Sequence, residues 1–191
     1  MSATGEGSLP SFPSDEPVGP EPARRLAITI IAEAGDWTGF GDVEEAVARA
    51  GAAVAADPHV PIAAGSEANV VLASDALVRG LNGRYRGKDA PTNVLSFPFQ
   101  MPPGSDPHCA TLLGDVVLAC ETVAREAAEQ AIAPGHHLQH LVVHGLLHLL
   151  GYDHQDDTEA EAMERMETEI LGRIGIADPH AALAWRQGIG R

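Results

Sequence analysis

Apolar and polar residues follow two periods along this chain, and each period predicts a set of elements. Short runs rich in β-branched residues predict strands, whereas apolar residues three and four positions apart predict helices. The predicted strands lie at 26–33, 69–73, 91–99 and 112–119. The predicted helices lie at about 42–56, 75–82, 121–132, 135–150 and 157–174. This order predicts an α+β fold in which several α-helices pack on a small mixed β-sheet.

Residues at the ends of these segments support the same boundaries. Asp42 and Ser74 can cap helices, because a short polar side chain accepts a hydrogen bond from the first backbone N–H groups. Pro134 can begin a helix, and Gly151 can end one. Two prolines within 91–99 exclude a helix there.

The pattern also divides the chain into parts. Residues 1–22 hold five prolines and hardly any apolar periodicity, which is typical of a disordered segment. We therefore predict a disordered Pro-rich tail over 1–25, one folded domain over 26–175 and a C-terminal tail over 176–191. Within the domain, 100–111 is predicted to be a polar loop rich in Pro and Gly.

Length and composition indicate a soluble protein. The 191 residues suffice for one domain with a sizeable core, and 45% of them are hydrophobic. No apolar run reaches the ~18–20 residues of a membrane span, and the first residues do not form a basic and then apolar leader. Two cysteines, Cys109 and Cys120, are too few for a disulfide framework. We expect a cytoplasmic protein that does not bind a membrane.

The charge is acidic overall but unevenly distributed. Twelve Lys and Arg against 27 Asp and Glu give a formal net charge of −15, which argues against tight nonspecific binding to nucleic acid. A basic stretch, residues 79–88, nevertheless carries four bases and no acid: Arg79, Arg84, Arg86 and Lys88. It fits a phosphate-binding site and a solvated helix end about equally. The acidic stretch 153–169 fits the solvated face of an amphipathic helix better than a docking surface.

The segment HGLLHLLGYDH, residues 144–154, has the spacing of a metal site. His144 and His148 are four residues apart on a predicted helix, so their imidazoles share one face at about 5–6 Å between Cβ atoms. Gly151 lets the backbone leave the helix, and His154 can then reach the same ion. Three histidines leave the fourth tetrahedral position to water, which is typical of a catalytic zinc site. We predict one Zn²⁺ per chain, held by His144, His148 and His154.

The spacing of these histidines is similar to that in the zinc helix of metzincin proteases, with one departure. Those proteases carry a glutamate general base directly after the first histidine, where this chain has Gly145. Peptide hydrolysis by that mechanism is therefore disfavoured.

Three further side chains could orient the metal ligands. His140 precedes the first ligand by one helical turn, Asp153 lies in the following turn, and Asp115 interrupts an apolar strand. Each also has a structural interpretation: packing for His140, a turn residue for Asp153 and a hydrogen-bonded buried acid for Asp115. We expect the other histidines to take no part, with His136 and His137 exposed at the start of the helix.

A second segment, LNGRYRGKDAPTNVLSFPF at residues 81–99, joins the basic stretch to a predicted strand. An arginine beside a metal centre suits phosphate, because its guanidinium pairs with two oxygens and stabilises the charge of a pentacoordinate transition state. The candidates for binding substrate phosphate are Arg84, Arg86 and Lys88. On this segment alone, a surface ion pair is the better interpretation.

Taken together, HGLLHLLGYDH, the upstream YRGKDAPTNVLSFPF and the intervening LLGDVVLA resemble the bacterial YbeY endoribonucleases, also known as rRNA maturation factors. The resemblance implies a zinc-dependent endoribonuclease specific for single strands. It implies action on the 3′ end of small-subunit rRNA and in ribosome quality control. It also implies zinc ligation by His144, His148 and His154, and a catalytic role for Arg86. The expected partners are single-stranded rRNA precursors and the ribosome or small-subunit ribosomal proteins.

The sequence leaves the mechanism and two rival functions open. The metal could activate water, or it could polarise a phosphoryl oxygen for attack by the ribose 2′-hydroxyl. A metalloprotease or other metallohydrolase is one alternative, which Gly145 disfavours. A non-catalytic ribosome assembly factor with a structural metal is the other, which an open coordination position disfavours.

Overall fold

The computed structural model of the chain describes residues 25–100, 112–153 and 156–179. The predicted Pro-rich tail, most of the predicted C-terminal tail and nearly all of the predicted loop at 100–111 lie outside the described residues. The division into one folded domain between two tails therefore stays a prediction.

Within the described residues, four strands form one mixed β-sheet. They are β1 (Leu26–Ala32), β2 (Ser66–Ala73), β3 (Val94–Pro98) and β4 (Leu112–Ala119). Their order across the sheet is β1-β2-β4-β3, so β1 and β3 are the edge strands. Strand β2 is parallel to β1 and to β4, whereas β3 is antiparallel to β4. The predicted α+β fold with a small mixed sheet is confirmed.

The described ranges also contain five α-helices. They are α1 (Val43–Ala55), α2 (Asp75–Arg86), α3 (Cys120–Glu129), α4 (Pro134–Leu149) and α5 (Asp157–Arg173). A short 3₁₀ helix at Trp37–Phe40 escapes prediction, because so short a segment shows no periodicity. Helix α2 runs one turn beyond its predicted end at residue 82 and stops at Gly87, which has a φ of 68°. None of the helices in the described part of the chain is long and apolar enough to cross a membrane.

Capping residues begin the helices where the sequence predicts. The side chain of Asp42 accepts a hydrogen bond of 2.9 Å from the N–H of Glu45. The hydroxyl of Ser74 accepts one of 3.4 Å from the N–H of Leu77. Helix α4 begins with Pro134, whose missing N–H costs nothing in the first turn.

Helix α4 is the central helix of the main core. It packs against α1, α3 and α5 and against strands β3 and β4. Its residues Leu138, Val142 and Leu146 are fully buried. Helix α2 covers the other face of the sheet, where Val78 packs in a smaller cluster with Val117. The two helices therefore approach edge strand β3 from opposite faces.

Helix α4 lies very close to the sheet at Gly145. A Cβ atom at this position would lie 2.5 Å from Cγ1 of Val116 on β4 and 3.2 Å from Oγ of Ser96 on β3. The hydroxyl of Ser96 also donates a hydrogen bond of 3.2 Å to the carbonyl oxygen of Gly145. This contact sets the spacing between α4 and the two strands.

Candidate metal centre and phosphate-binding cleft

The imidazoles of His144 and His148 meet near the C-terminal end of α4. Their four-residue spacing places them on one face of the helix, with ring centroids 4.6 Å apart. Their Nε2 atoms are 3.1 Å apart, and both side chains are partly buried. The structure thus brings these two predicted ligands together.

An acceptor holds the other ring nitrogen of each histidine. Nδ1 of His144 lies 2.6 Å from Oε1 of Glu167, and Nδ1 of His148 lies 3.0 Å from the carbonyl oxygen of Tyr152. A carbonyl oxygen only accepts hydrogen bonds, so Nδ1 of His148 donates to Tyr152, and Nδ1 of His144 donates in the same way to Glu167 when that carboxylate is ionised. In the neutral imidazole, Nε2 then presents a lone pair, and the two lone pairs point toward each other.

This donor set fits a divalent metal ion. Two facing lone pairs at 3.1 Å need a cation between them, which is either a shared proton or a metal ion. Zinc-bound nitrogens at about 2.0–2.1 Å in tetrahedral geometry lie about 3.3–3.4 Å apart, which is close to the observed distance. Histidine ligands of metals also usually donate Nδ1–H to a carboxylate or a carbonyl oxygen.

The third predicted ligand, His154, lies outside the described residues, so its ligation stays a prediction. The chain leading to it does turn as expected: Gly151 has a φ of 91°, a conformation that favours glycine. The N–H of Tyr152 donates a hydrogen bond of 3.0 Å to the carbonyl oxygen of Leu147, which fixes the start of this turn.

Glu167 on α5 is the residue of this centre that the sequence analysis missed. Its side chain is 2% exposed, and its second oxygen, Oε2, lies 3.3 Å from Nε2 of His140. A signal was present, because Glu167 shares the buried face of α5 with Met163 and Ile170. An acid at an inward position of an amphipathic helix needs a buried partner.

Two of the predicted orienting residues lie near the ligands. His140 precedes His144 by one turn and reaches the same carboxylate of Glu167. Asp153 lines the cavity that also contains His148.

The third predicted orienting residue, Asp115, lies elsewhere. Its Oδ1 accepts a hydrogen bond of 2.7 Å from Nδ2 of Asn69 on the neighbouring strand. Side chains alternate along a strand, so Asp115 shares a face with Val117, which belongs to the cluster under α2. Its described contact is therefore on the side of the sheet away from α4.

A cleft of about 400 Å³ lies beside these histidines, between α4, β3 and the end of α2. Its lining residues are Arg86, Ser96, Pro98, His148, Gly151, Tyr152 and Asp153. The cleft thus brings the predicted catalytic arginine to the same cavity as a predicted metal ligand.

Hydrogen bonds hold the loop after α2 against the helix. They fix the backbone at Arg86, which is the last residue of α2. Asn82, which is 4% exposed, donates from Nδ2 to the carbonyl oxygen of Ala90 at 2.7 Å. Arg79 forms two hydrogen bonds with Asp89, at 2.6 and 2.8 Å. Both contacts close the loop back onto α2.

The basic stretch therefore divides into one paired base and three exposed ones. The hydrogen bond and the positive charge of Arg79 lower the pKa of Asp89, so this arginine fits the ion-pair interpretation. Over 25–100, 112–153 and 156–179, no carboxylate pairs with Arg84, Arg86 or Lys88, and all three are exposed. These three bases are accessible to a phosphate group.

The packing at Gly145 accounts for the missing protease glutamate. A side chain at this position would run into Val116 and Ser96 rather than into open space. The general base of the metzincin mechanism therefore has no room on this helix.

His137 departs from the sequence prediction. His136 is exposed as predicted, but His137 is only 3% exposed, because α3 packs against α4 here. Its Nε2 lies 2.9 Å from Oε2 of Glu126, which also accepts a hydrogen bond of 2.9 Å from Nδ2 of Asn93. Burial lowers the pKa of His137, and the hydrogen bond with Glu126 opposes this shift.

A second group with ligand spacing lies elsewhere among the described residues. Ligand atoms of Asp57, His59 and Glu169 lie within 4.8 Å of one another. The buried Asp57 is already engaged: Oδ1 accepts from the N–H of His59 at 2.8 Å, and Oδ2 lies 3.0 Å from Nη1 of Arg173. The angle of the arginine contact does not suit a hydrogen bond, but its charge neutralises the carboxylate. We therefore favour the histidines of α4 as the metal centre.

Comparisons with known proteins agree with these motifs. The family model described as Endoribonuclease YbeY matches residues 41–175. A protein of Parvibaculum lavamentivorans named Endoribonuclease YbeY is 49% identical over 166 residues, which cover 82% of this chain and 86% of the relative. One of the same name from Bradyrhizobium sp. (strain BTAi1) is 47% identical over 155 residues, which cover 80% and 90%. A solution structure from Thermotoga maritima is 26% identical, covers 77% of this chain and 91% of that one, and has a TM-score of 0.44. The family predicted from the histidine and arginine segments is confirmed: this chain belongs to the YbeY endoribonuclease family.

Proposed function

We propose that this chain is a zinc-dependent endoribonuclease that cuts single-stranded RNA and takes part in rRNA maturation. The observation that supports this function is the shared cleft, which Arg86 and His148 both line. A cation that pairs with phosphate oxygens, next to a metal-ligating imidazole, suits phosphodiester cleavage. The named activity of the relatives supports the same reaction class.

His144, His148 and His154 would hold one zinc ion. When bound, zinc supplies Lewis-acid activation of a water molecule or of a phosphoryl oxygen. The carboxylate of Glu167 and the carbonyl oxygen of Tyr152 keep each Nδ1 protonated and each ring in a fixed orientation. Because Glu167 is buried, its carboxylate is itself held in place against His144.

Arg86 would bind the scissile phosphate. Its guanidinium can pair with two phosphate oxygens and stabilise the charge that develops there in the transition state. Asn82 and the Arg79–Asp89 pair hold the loop after α2, so the position of Arg86 is set before substrate binds. Arg84 and Lys88 would contact neighbouring phosphates.

The acidity of the chain suggests how the enzyme finds its substrate. With a net charge of −15, the protein gains little from the general attraction that draws basic proteins to RNA. We expect weak binding to naked RNA, with the ribosome or a small-subunit ribosomal protein providing localisation in the cytoplasm. The proposed targets are the 3′ end of small-subunit rRNA and defective ribosomes during quality control.

The metal ligands are tested by elemental analysis of purified variants. His148→Ala should lose the bound zinc, because two imidazoles and water hold zinc poorly. His59→Ala is the matched control, because His59 belongs to the other group with ligand spacing. Zinc retained by His148→Ala but lost by His59→Ala would move the metal site to that group.

The activity is tested by cleavage of a defined single-stranded rRNA precursor, with a peptidase assay in parallel. Arg86→Ala should keep its zinc and its fold but cleave about 100-fold more slowly or worse, which is the scale for losing one transition-state donor. Arg165→Ala, an exposed arginine on α5, is the control. Unchanged cleavage by Arg86→Ala would remove this residue from the site. A zinc-loaded wild type without nuclease activity would favour the assembly-factor alternative.

A further inference from the structure

Exposed aromatic side chains lie next to the cleft in a chain with few aromatic residues. Aromatic residues make up 4% of the sequence. Among the described residues, the exposed large apolar side chains are Tyr85 at 59%, Phe99 at 51% and Ile132 at 38%. Tyr85 directly precedes Arg86, and Phe99 directly follows β3, which lines the cleft.

The ring of Tyr85 is held in place without being buried. It packs edge-on against Phe97, with ring centroids 5.2 Å apart and an interplanar angle of 65°. Phe97 is itself packed against the buried cluster that contains Leu95, so the support for Tyr85 is part of the fold. The guanidinium carbon of Arg84 lies 5.3 Å from the centre of the Tyr85 ring. A rigid ring with an adjacent cation is the combination that stacks on nucleobases.

The position of β3 at the sheet edge connects this ring with the cleft. Side chains alternate along the strand, so Phe97 faces α2 while Ser96 and Pro98 face the cleft. No further strand lies beyond β3 in the described sheet. Tyr85 and Arg86 are consecutive, with Cα atoms about 3.8 Å apart. A chain whose phosphate lies at Arg86 can therefore place a neighbouring base at Tyr85 around the open edge.

We propose that Tyr85 is a stacking site for an unpaired base next to the nucleotide whose phosphate lies in the cleft. This inference rests on the proposed function and names the part of the site that selects single strands. Bases inside a duplex already stack on each other, so only an unpaired nucleotide offers a free face. Stacking also supplies affinity that a chain with a net charge of −15 does not gain from electrostatics.

Stopped-flow anisotropy with a labelled single-stranded RNA tests the site. Binding is read before turnover, and cleavage is then followed in the same samples. Tyr85→Leu keeps an apolar contact with Phe97 but has no ring, and its affinity should fall about 5- to 150-fold. Tyr85→Phe should restore the affinity of the wild type. Ile132→Ala is the matched control, because its exposed side chain lies before α4, about 24 Å of helix away from the cleft. A melting curve for each variant checks that the fold is kept.

An RNA with one abasic position identifies stacking itself. When the missing base is the one that would stack on Tyr85, the RNA should bind the wild type more weakly. The same RNA should bind Tyr85→Leu no more weakly than the intact RNA does. Equal affinities for wild type and Tyr85→Leu would overturn the stacking site, even if the RNA is cleaved. Conversely, Tyr85-dependent binding without any cleavage would uphold the stacking site and refute the proposed nuclease function.

Discussion

Replacing Gly145 by alanine tests the close packing that joins α4 to the sheet. The added Cβ would lie 2.5 Å from Cγ1 and 3.0 Å from Cγ2 of Val116. A β-branched side chain on a strand has a restricted χ1 angle, so these methyl groups cannot easily move aside. Overpacking of this kind costs about 1–3 kcal/mol in the free energy of unfolding. The higher helix propensity of alanine returns about 1 kcal/mol, which leaves a net loss of about 0–2 kcal/mol.

Gly80 provides the matched control for this substitution. It lies inside α2, and a Cβ built there would meet no atom within 4 Å beyond its chain neighbours and the nearby backbone of its own helix. Gly80→Ala should therefore raise the free energy of unfolding by about 1 kcal/mol. Urea denaturation at one fixed zinc concentration should separate the two alanine variants by about 1–3 kcal/mol.

A double-mutant cycle identifies the contact that is responsible. Val116→Ala removes the methyl groups that the new Cβ meets, so it should cost less in the Gly145→Ala background than in the wild type. The expected coupling energy is about 0.5–3 kcal/mol. Equal stabilities of Gly145→Ala and Gly80→Ala, or costs that simply add, would show that α4 does not lie this close to β4.

Three further outcomes follow from buried groups. Glu167→Gln should weaken zinc binding about 10- to 100-fold, because the Nδ1–H of His144 loses its carboxylate partner. A competition titration with a chelating dye measures the zinc affinity, and an unchanged affinity would show that Glu167 does not support the ligand. Burial lowers the pKa of His137, so below pH 6.5 its imidazole takes up a proton more readily in the unfolded chain than in the folded one. The stability contribution of neutral His137 is therefore complete above pH 6.5 and is lost as the pH falls, and His137→Gln should flatten this decline in urea titrations from pH 7.5 to about 5.5. Burial also raises the pKa of Cys120 to about 11. In a Cys109→Ser background, the thiol of Cys120 in the folded protein should therefore react slowly with iodoacetamide at about pH 8. Rapid alkylation, measured by mass spectrometry, would contradict this.

The features predicted well from the sequence are those set by local spacing. The four-residue interval between His144 and His148 fixes their meeting on α4 wherever that helix packs. The caps Asp42 and Ser74 likewise act within one turn of the chain. Neither kind of inference needs to know what lies across the core.

The features that the sequence analysis missed depend on contacts between distant segments. His137 is buried because Glu126, on the preceding helix, lies against it. The helical pattern marks Glu167 as an inward-facing acid of α5, but it does not reveal that its partner is a histidine 23 residues earlier in the chain. The added turn of α2 depends on Asn82, whose side chain reaches across the loop to Ala90. Each of these outcomes follows from packing that only the folded chain defines.

The open edge of β3 has a consequence for the solubility of the protein. The N–H of Phe99 bonds to β4, so by alternation the nitrogens of Val94, Ser96 and Pro98 face outward. The N–H of Val94 is already taken by the side chain of Asn93, at 2.7 Å, and proline has no N–H to offer. Ser96 alone retains an outward donor, which is too little for a foreign strand to add and build a ladder. The sheet edge beside the cleft is thereby protected against growth of the sheet into aggregates.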